Sequence, residues 1–445
     1  MAQHATSAHQ RLDVDAVQRR TVRTMTLAQI FSALGNGSTL ALGSILAVDL
    51  SGNEAFAGTT TTALTLAPAL LAVPLSTLAV RRGRRTALTA GLAGAALGTL
   101  LIVGATVWRL FPLLLLGAFL VGIASAVNLQ ARFAATDLAR PERRGRDLSL
   151  VVWAVTIGAV AGPNMVVPGA ALSETVGLPV EAGPFLISGA GMVLGAVLLL
   201  VGLRPDPLLL RQALDASPST TPAAARAAAG APAGAAAPAR PSVRDGWAAV
   251  RGSARARAAL TVLLAAHTAM VAVMSMTPLH LQHVAVTTAA GPGFLTVVGF
   301  TISLHVAGMY ALSPVMGWSA DRFGGGVTAL AGLVVLLAAV AFAGVGQGSI
   351  TTVTIGLVLL GLGWSAATVA GSALLVEAVP PARRVTAQGL SDALMSGAGA
   401  LGSLAAGMVM GWSGYGVLNT VTAVLVGVVA VYAGRALHRG RRSRG

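Results

Sequence analysis

Gly317-Trp318-Ser319-Ala320-Asp321-Arg322-Phe323-Gly324-Gly325-Gly326 separates two long apolar runs with an acid–base pair and four glycines. Stepping back 241 residues sets Arg81-Arg82-Gly83-Arg84-Arg85 against Arg322 to Gly326, again between two apolar runs. A second pair of loops gives the same spacing. Asp137, Pro141, Arg143 and Arg144 recur 240 residues on as Glu377, Pro381, Arg383 and Arg384. Two independent loops that agree to one residue define an internal repeat, so the chain is two similar halves in tandem. Parallel halves of this kind place a shared site at their interface, near the bilayer midplane.

Outward from those loops the sequence falls into twelve apolar blocks. They cover 25–49, 59–79, 86–107, 110–132, 148–172 and 183–203, then 258–280, 294–317, 327–347, 350–377, 389–412 and 415–435. Each is close to or above the ~20 residues a helix needs to cross the hydrocarbon core. Only 10% of the 445 residues are charged and 55% are hydrophobic, against roughly 25% charged in a soluble domain. The expected fold is an all-α integral membrane protein with 12 transmembrane helices in two six-helix halves. The expected divisions are a tail at 1–24, a first half at 25–203, a largely disordered linker at 204–257, a second half at 258–435 and a basic tail at 436–445.

The formal charge of +15 points to the membrane and away from nucleic acid, because of where it falls. All the basic residues are Arg, and they collect in alternate connections, at Arg19 to Arg23, Arg81 to Arg85, Arg140 to Arg146, Arg383 and Arg384, and Arg435 to Arg444. The intervening connections hold Glu54, Glu174 and Glu181 with a single Arg, Arg109. By the positive-inside rule both termini are cytoplasmic and the span number is even. With no cysteine, thiolate chemistry is excluded. The linker from Ala213 to Pro241 is nearly all Ala, Pro, Ser, Thr and Gly and has nothing to bury. Val243 to Ala256 reads as a solvated connection or as an amphipathic helix on the membrane surface.

Gly317 to Gly324 resembles the loop signature of the major facilitator superfamily, found there after the second helix of each half. The first-half copy is degraded, with Ser76 and Val80 where Gly and Asp are expected. Gly158-Ala-Val-Ala-Gly162-Pro163 resembles the Gly-Pro motif of that superfamily's antiporter branches. The resemblance implies a multi-pass secondary transporter of the plasma membrane that works by alternating access, not an enzyme. It also implies a gate formed by Asp321, Arg322, Asp137 and Arg143 at the cytoplasmic helix ends. No cofactor and no second chain is expected.

Ionisable groups inside a bilayer are costly and mark functional sites. No Asp or Glu falls near the middle of an apolar block, which leaves His267 and His305. Met270 and Met274 follow His267 at spacings of three and four, and Met309 follows His305 at four, so each set shares a helix face. At 1.5 Å per residue these five groups form a ladder about 13 Å tall around the midplane. Thioether and imidazole together suit copper, although methionine also fills apolar cores. His280 and His283 stand at the outer end of the same helix.

This pattern resembles the CcoA-like copper importers, marked by Met-x3-Met in the seventh helix and His-x3-Met in the eighth. The resemblance implies Met270, Met274, His305 and Met309 as ligands for copper as cargo, not as cofactor. Related carriers take organic compounds such as riboflavin, so proton-coupled movement of small organic molecules is the alternative. Asn36, Asn128, Gln130, Asn164, Trp364 and Ser365 are candidates to line the cavity, or else to join helices by hydrogen bonds.

Overall fold

The computed structural model describes residues 13–140, 144–216, 243–287, 294–380 and 383–442. The described residues are almost entirely helical and contain no strand. Within a bilayer this is dictated by backbone hydrogen bonding, since a helix satisfies every peptide group inside its own segment.

In chain order the first half holds α1 (Val14–Ser51), α2 (Thr59–Trp108), α3 (Phe111–Ala134), α4 (Arg144–Asn164), α5 (Val166–Val176) and α6 (Gly183–Gly202). Two short helices follow, α7 (Pro207–Ala216) and α8 (Val243–Arg251). The second half holds α9 (Ala254–Thr287), α10 (Phe294–Tyr310), α11 (Ser313–Phe323), α12 (Gly325–Val345), α13 (Ile350–Ala378) and α14 (Arg384–Arg442). Asp13 caps α1 by accepting a hydrogen bond from the Ala16 amide, and left-handed Gly52 closes it.

The repeat read from the loops is written in the backbone. Gly83 breaks α2 with φ 88° and ψ 163°, and its partner at offset 241, Gly324, divides α11 from α12 with φ 91° and ψ 140°. Only glycine occupies that region without strain.

Among the described residues ten helices are long and apolar enough to cross a membrane, or eleven if α4 and α5, bent by 53°, form one span. The twelve expected from the sequence exceed this count. The last candidate, Ala387–His438, is 52 residues long and is broken at Gly414 (φ 78°). Before the break α14 runs beside α9, where Gly399 meets His267 and Gly402 meets Thr268. After it the direction reverses along α12, with Asn419 at Gly344 and Leu437 at Gly326.

The expected boundaries shift at the ends, because helices continue past the hydrocarbon wherever backbone bonds can still form. α1 begins at Val14, inside the segment read as a tail, and α14 runs on to Arg442. Of the linker, 217–242 lies outside the described residues. α8 buries Ala249 and Val250 against Leu260, Leu263, Leu374 and Leu375. It therefore docks on protein, while its Trp247 stays exposed.

Small residues set the helix packing. Gly162 faces Gly37, so α4 and α1 meet backbone to backbone. That contact gives the Gly162-Pro163 motif a structural role. Around the bundle runs a surface of exposed Leu, Val, Ile and Phe, with Trp108 and Trp412 at one end and Trp318 at the other. An apolar belt flanked by aromatic residues matches a bilayer and not water.

Candidate functional site

The two halves meet along a seam. Ser403 donates to the Gly58 carbonyl at 2.9 Å, and Thr62 donates to the Ala400 carbonyl at 3.0 Å. His283 lies 3.5 Å from Glu54 across the same seam. On the other flank Asn164 donates to Ser303 at 2.6 Å, and Ser303 donates to the Val160 carbonyl at 2.7 Å. Each of these contacts lies in the part of the helices away from the Arg-rich ends. Ala400, Ser403, Gly407 and Gly411 present one face of α14 to the first half. Gly389 is eleven residues earlier, about three turns, and so lies on that face ~16 Å closer to the Arg-rich end. A Cβ built on Gly389 meets nothing within 4 Å. Among the described residues these contacts between the halves lie at the end away from the Arg-rich connections, and open space lies before Gly389 toward the other end.

Between α1 and α3 the first half carries hydrogen-bonding groups. Ser32 donates to the Asn128 side chain at 2.8 Å, and Asn36 donates through its amide to Ser125 at 2.8 Å. Asn36 and Asn128 are partly buried and tie α1 to α3. The Asn36 Oδ1 is buried with no hydrogen-bond partner, so one acceptor there is unspent. Gln130 is engaged nearer the Arg-rich end, donating to the Ala72 carbonyl and accepting from Arg84.

The second half offers aromatic rings. α9 and α10 both face the first half and touch each other only lightly, while α13 lies behind and between them. Trp364 of α13 fills that place. Its indole N–H donates to His267 Nδ1 at 3.3 Å. The His267 ring centroid is 6.2 Å from that of Trp364, and Tyr310 meets the indole edge to face at 5.9 Å. All three side chains are partly exposed. Since an indole can only donate, His267 Nδ1 is an acceptor and the neutral ring carries its proton on Nε2. His267 and Trp364 are legible in the sequence as isolated polar groups. Tyr310 is not, because its partner is 54 residues away and only the fold brings them together.

The methionine and histidine ladder lies deeper. Met270, Met274 and Met309 are 4%, 4% and 7% exposed, and all three belong to the main apolar core. His305 is fully buried. Its Nδ1 is 2.7 Å from the Leu357 carbonyl of α13, inside the same half. A carbonyl only accepts, so Nδ1 holds the proton and Nε2 is a bare lone pair, which finds no partner. His280 stacks on Tyr415 with centroids 4.0 Å apart, and its Nε2 lies 2.7 Å from the Gln347 carbonyl.

Of the residues expected to gate, Asp137, Asp321 and Arg322 are described. Asp137 pairs with Arg84 of its own half at 3.0 Å, and both side chains are nearly buried. Burial pushes the Asp137 carboxyl up from the usual carboxylate range, and Arg84 opposes that by hydrogen bond and charge. Asp321 and Arg322 end α11 exposed. Asp321 lines a surface cleft with Arg255, Glu377 and His438, where Arg255 approaches Glu377 to 3.9 Å. Arg143 lies outside the described residues.

The model of the Major Facilitator Superfamily matches residues 25–302 and 295–444. The chain is 32% identical over 416 residues to the MFS-type transporter YddS of Bacillus subtilis (strain 168), covering 92% of this chain and 88% of that one. It is 27% identical over 415 residues to the riboflavin transporter RfnT of Brucella anthropi, covering 93% and 94%. Among solved structures it is similar to the nucleoside transporter NupG, with a TM-score of 0.70, 16% identity and coverage of 94% and 99%.

Proposed function

We propose that this chain, which belongs to the Major Facilitator Superfamily and is a membrane transporter, carries small organic solutes with a planar ring system by alternating access. What supports this reading is the ring cluster of His267, Tyr310 and Trp364 in the second half together with the amide and hydroxyl groups of Asn36, Ser125 and Asn128 in the first. One side supplies flat apolar faces on which a heterocycle stacks. The other supplies donors and acceptors for its polar edge. Riboflavin, the named cargo of the relative RfnT, has such a flat polar-edged ring and is the first solute to try. By the charge rule the Arg-rich end is cytoplasmic, and with α4 and α5 counted as one bent span and α14 as two arms the spans come to twelve, which suits a plasma-membrane carrier.

Proteoliposomes holding the purified protein test this. They are expected to take up riboflavin, and Trp364→Ala is expected to weaken binding roughly tenfold, in line with loss of one stacking partner. Trp364→Phe, which keeps a ring and loses the N–H, is expected to retain most of it. Equal transport by wild type and Trp364→Ala would remove the ring cluster from the cargo path.

Copper import through Met270, Met274, His305 and Met309 is the second reading. What favours it is the bare Nε2 of buried His305, a lone pair with the Met309 thioether one turn along its helix and no hydrogen-bond partner among the described residues. Against it stands the burial of all four groups, the three methionines in the apolar core and His305 held by α13 of its own half. Met270→Leu and Met309→Leu keep volume and delete the soft donor. Copper uptake by the wild type that these variants lose would establish the second reading over the first.

A further inference from the structure

A groove of about 620 Å³ runs along the membrane-facing side of the seam between α1 and α6. Its floor forms because Gly202 has no side chain to hold Thr24 away. Its lower part is apolar and open to the bilayer, lined by Leu27, Val197 and Val201, each about half exposed. Its upper part is cationic. Arg19, Arg20 and Arg23 rise from two neighbouring turns of α1 on the face that also carries Ala16, Thr24 and Leu27.

The three guanidinium groups are unequally employed. Arg20 donates to the carbonyls of Val201 (3.1 Å) and Arg204 (3.4 Å), capping the end of α6 and leaving part of its fork free. Arg19 has only a loose contact with Asp13 at 3.6 Å, its side chain 57% exposed. Arg23 makes no hydrogen bond or ion pair among the described residues and is exposed. Arg204 adds a fourth guanidinium at the same end, held by the Leu200 carbonyl. Of the nearby carboxylates only Asp13 faces the cluster. Asp15 is taken by Arg140, and Asp206 turns to the amides of Arg85, Leu208 and Leu209. The upper groove therefore carries a surplus of positive charge directly above an apolar trough.

We propose that this groove binds an anionic phospholipid, its phosphodiester held by Arg19, Arg20 and Arg23 and one acyl chain lying over Leu27, Val197 and Val201. The chemistry selects for it on two counts. Guanidinium forks match phosphate oxygens in pairs, and a basic site between helices at the Arg-rich end faces the leaflet where anionic lipid attracts such clusters. A headgroup bearing its own ammonium would meet the surplus cations unfavourably. A free anion would leave the trough uncovered.

The test is native mass spectrometry of the full chain, released from micelles doped with equal amounts of phosphatidylglycerol and phosphatidylcholine. Wild type is expected to retain phosphatidylglycerol over phosphatidylcholine by about fivefold or more. The double variant Arg19→Gln, Arg23→Gln is expected to lose that preference. It leaves Arg20 in place to cap α6, so the fold is spared, and a monodisperse elution profile checks this. Arg81→Gln with Arg82→Gln removes two exposed arginines of the next connection, away from the groove, and is expected to change nothing. Equal retention of the two lipids by wild type, or undiminished preference in the groove variant, would overturn the proposal. So would displacement of the retained lipid by millimolar inorganic phosphate, which would mark a site for a free anion.

Discussion

Arg84 and Asp137 show how much a single position can depend on its partner. Asp137 sits in a setting that disfavours its charge, and the Arg84 side chain is what opposes this. Arg84→Gln removes that opposition, so the carboxyl moves further up and the native state binds a proton that the unfolded chain does not. Stability is then highest below the unfolded carboxylate range and falls as pH rises toward the raised native value. The expected result is a loss of about 3 kcal/mol at neutral pH, shrinking near pH 4.5 and largely rescued by adding Asp137→Asn. Thermal melts of the purified variants across pH check this. The sequence shows Asp137 plainly as an acid at a helix end, yet hides its partner. Arg84 is one of four arginines in a row of five residues, and nothing in the row says which one turns inward. The same holds for Tyr310, whose place in the ring cluster depends on where α13 lies. Single residues announce their chemistry in sequence, and their company only in space.

At the scale of elements, breaks and close approaches carry the information. Gly83 has φ 88°, and a Cβ there would run into the Asp206 carboxylate, which accepts the Arg85 amide at 2.7 Å. Gly83→Ala is expected to cost about 2 kcal/mol, read as a lower melting temperature in detergent. Gly389 is the opposite case, a helical glycine with empty space before it. Gly389→Leu is expected to fold as well as wild type and to slow transport strongly, because closing the Arg-rich end would bring the first half onto that face. Normal transport by a well-folded Gly389→Leu protein would show that the halves never close there. Element existence was legible from apolar runs, since the bilayer requires ~20 such residues at a time. Element ends were not, because α1 extends beyond the apolar stretch on polar contacts with distant segments, such as Gln18 with Ala135 and Asp147, that no local pattern announces. The turn at Gly414 falls where the sequence divides the apolar runs 389–412 and 415–435.

For the whole molecule, the tandem repeat was legible because two loops had kept their spacing through the divergence of the halves. The conformation was not, since a transporter's sequence encodes both of its states and a pattern of apolar runs is common to them. What decides the conformation is the seam, which joins Glu54, Gly58 and Thr62 to His283, Ser403 and Ala400 at the end away from the Arg-rich connections. If the chain works by alternating access, that seam must open in every cycle. The absence of cysteine makes this testable at one place. With Thr62→Cys and Ala400→Cys introduced together, a short reversible thiol cross-linker ties the seam shut, and riboflavin uptake into proteoliposomes is measured before cross-linking, after it, and after reduction. Uptake should stop on cross-linking and return on reduction. Undiminished uptake through fully cross-linked protein would contradict alternating access across this seam.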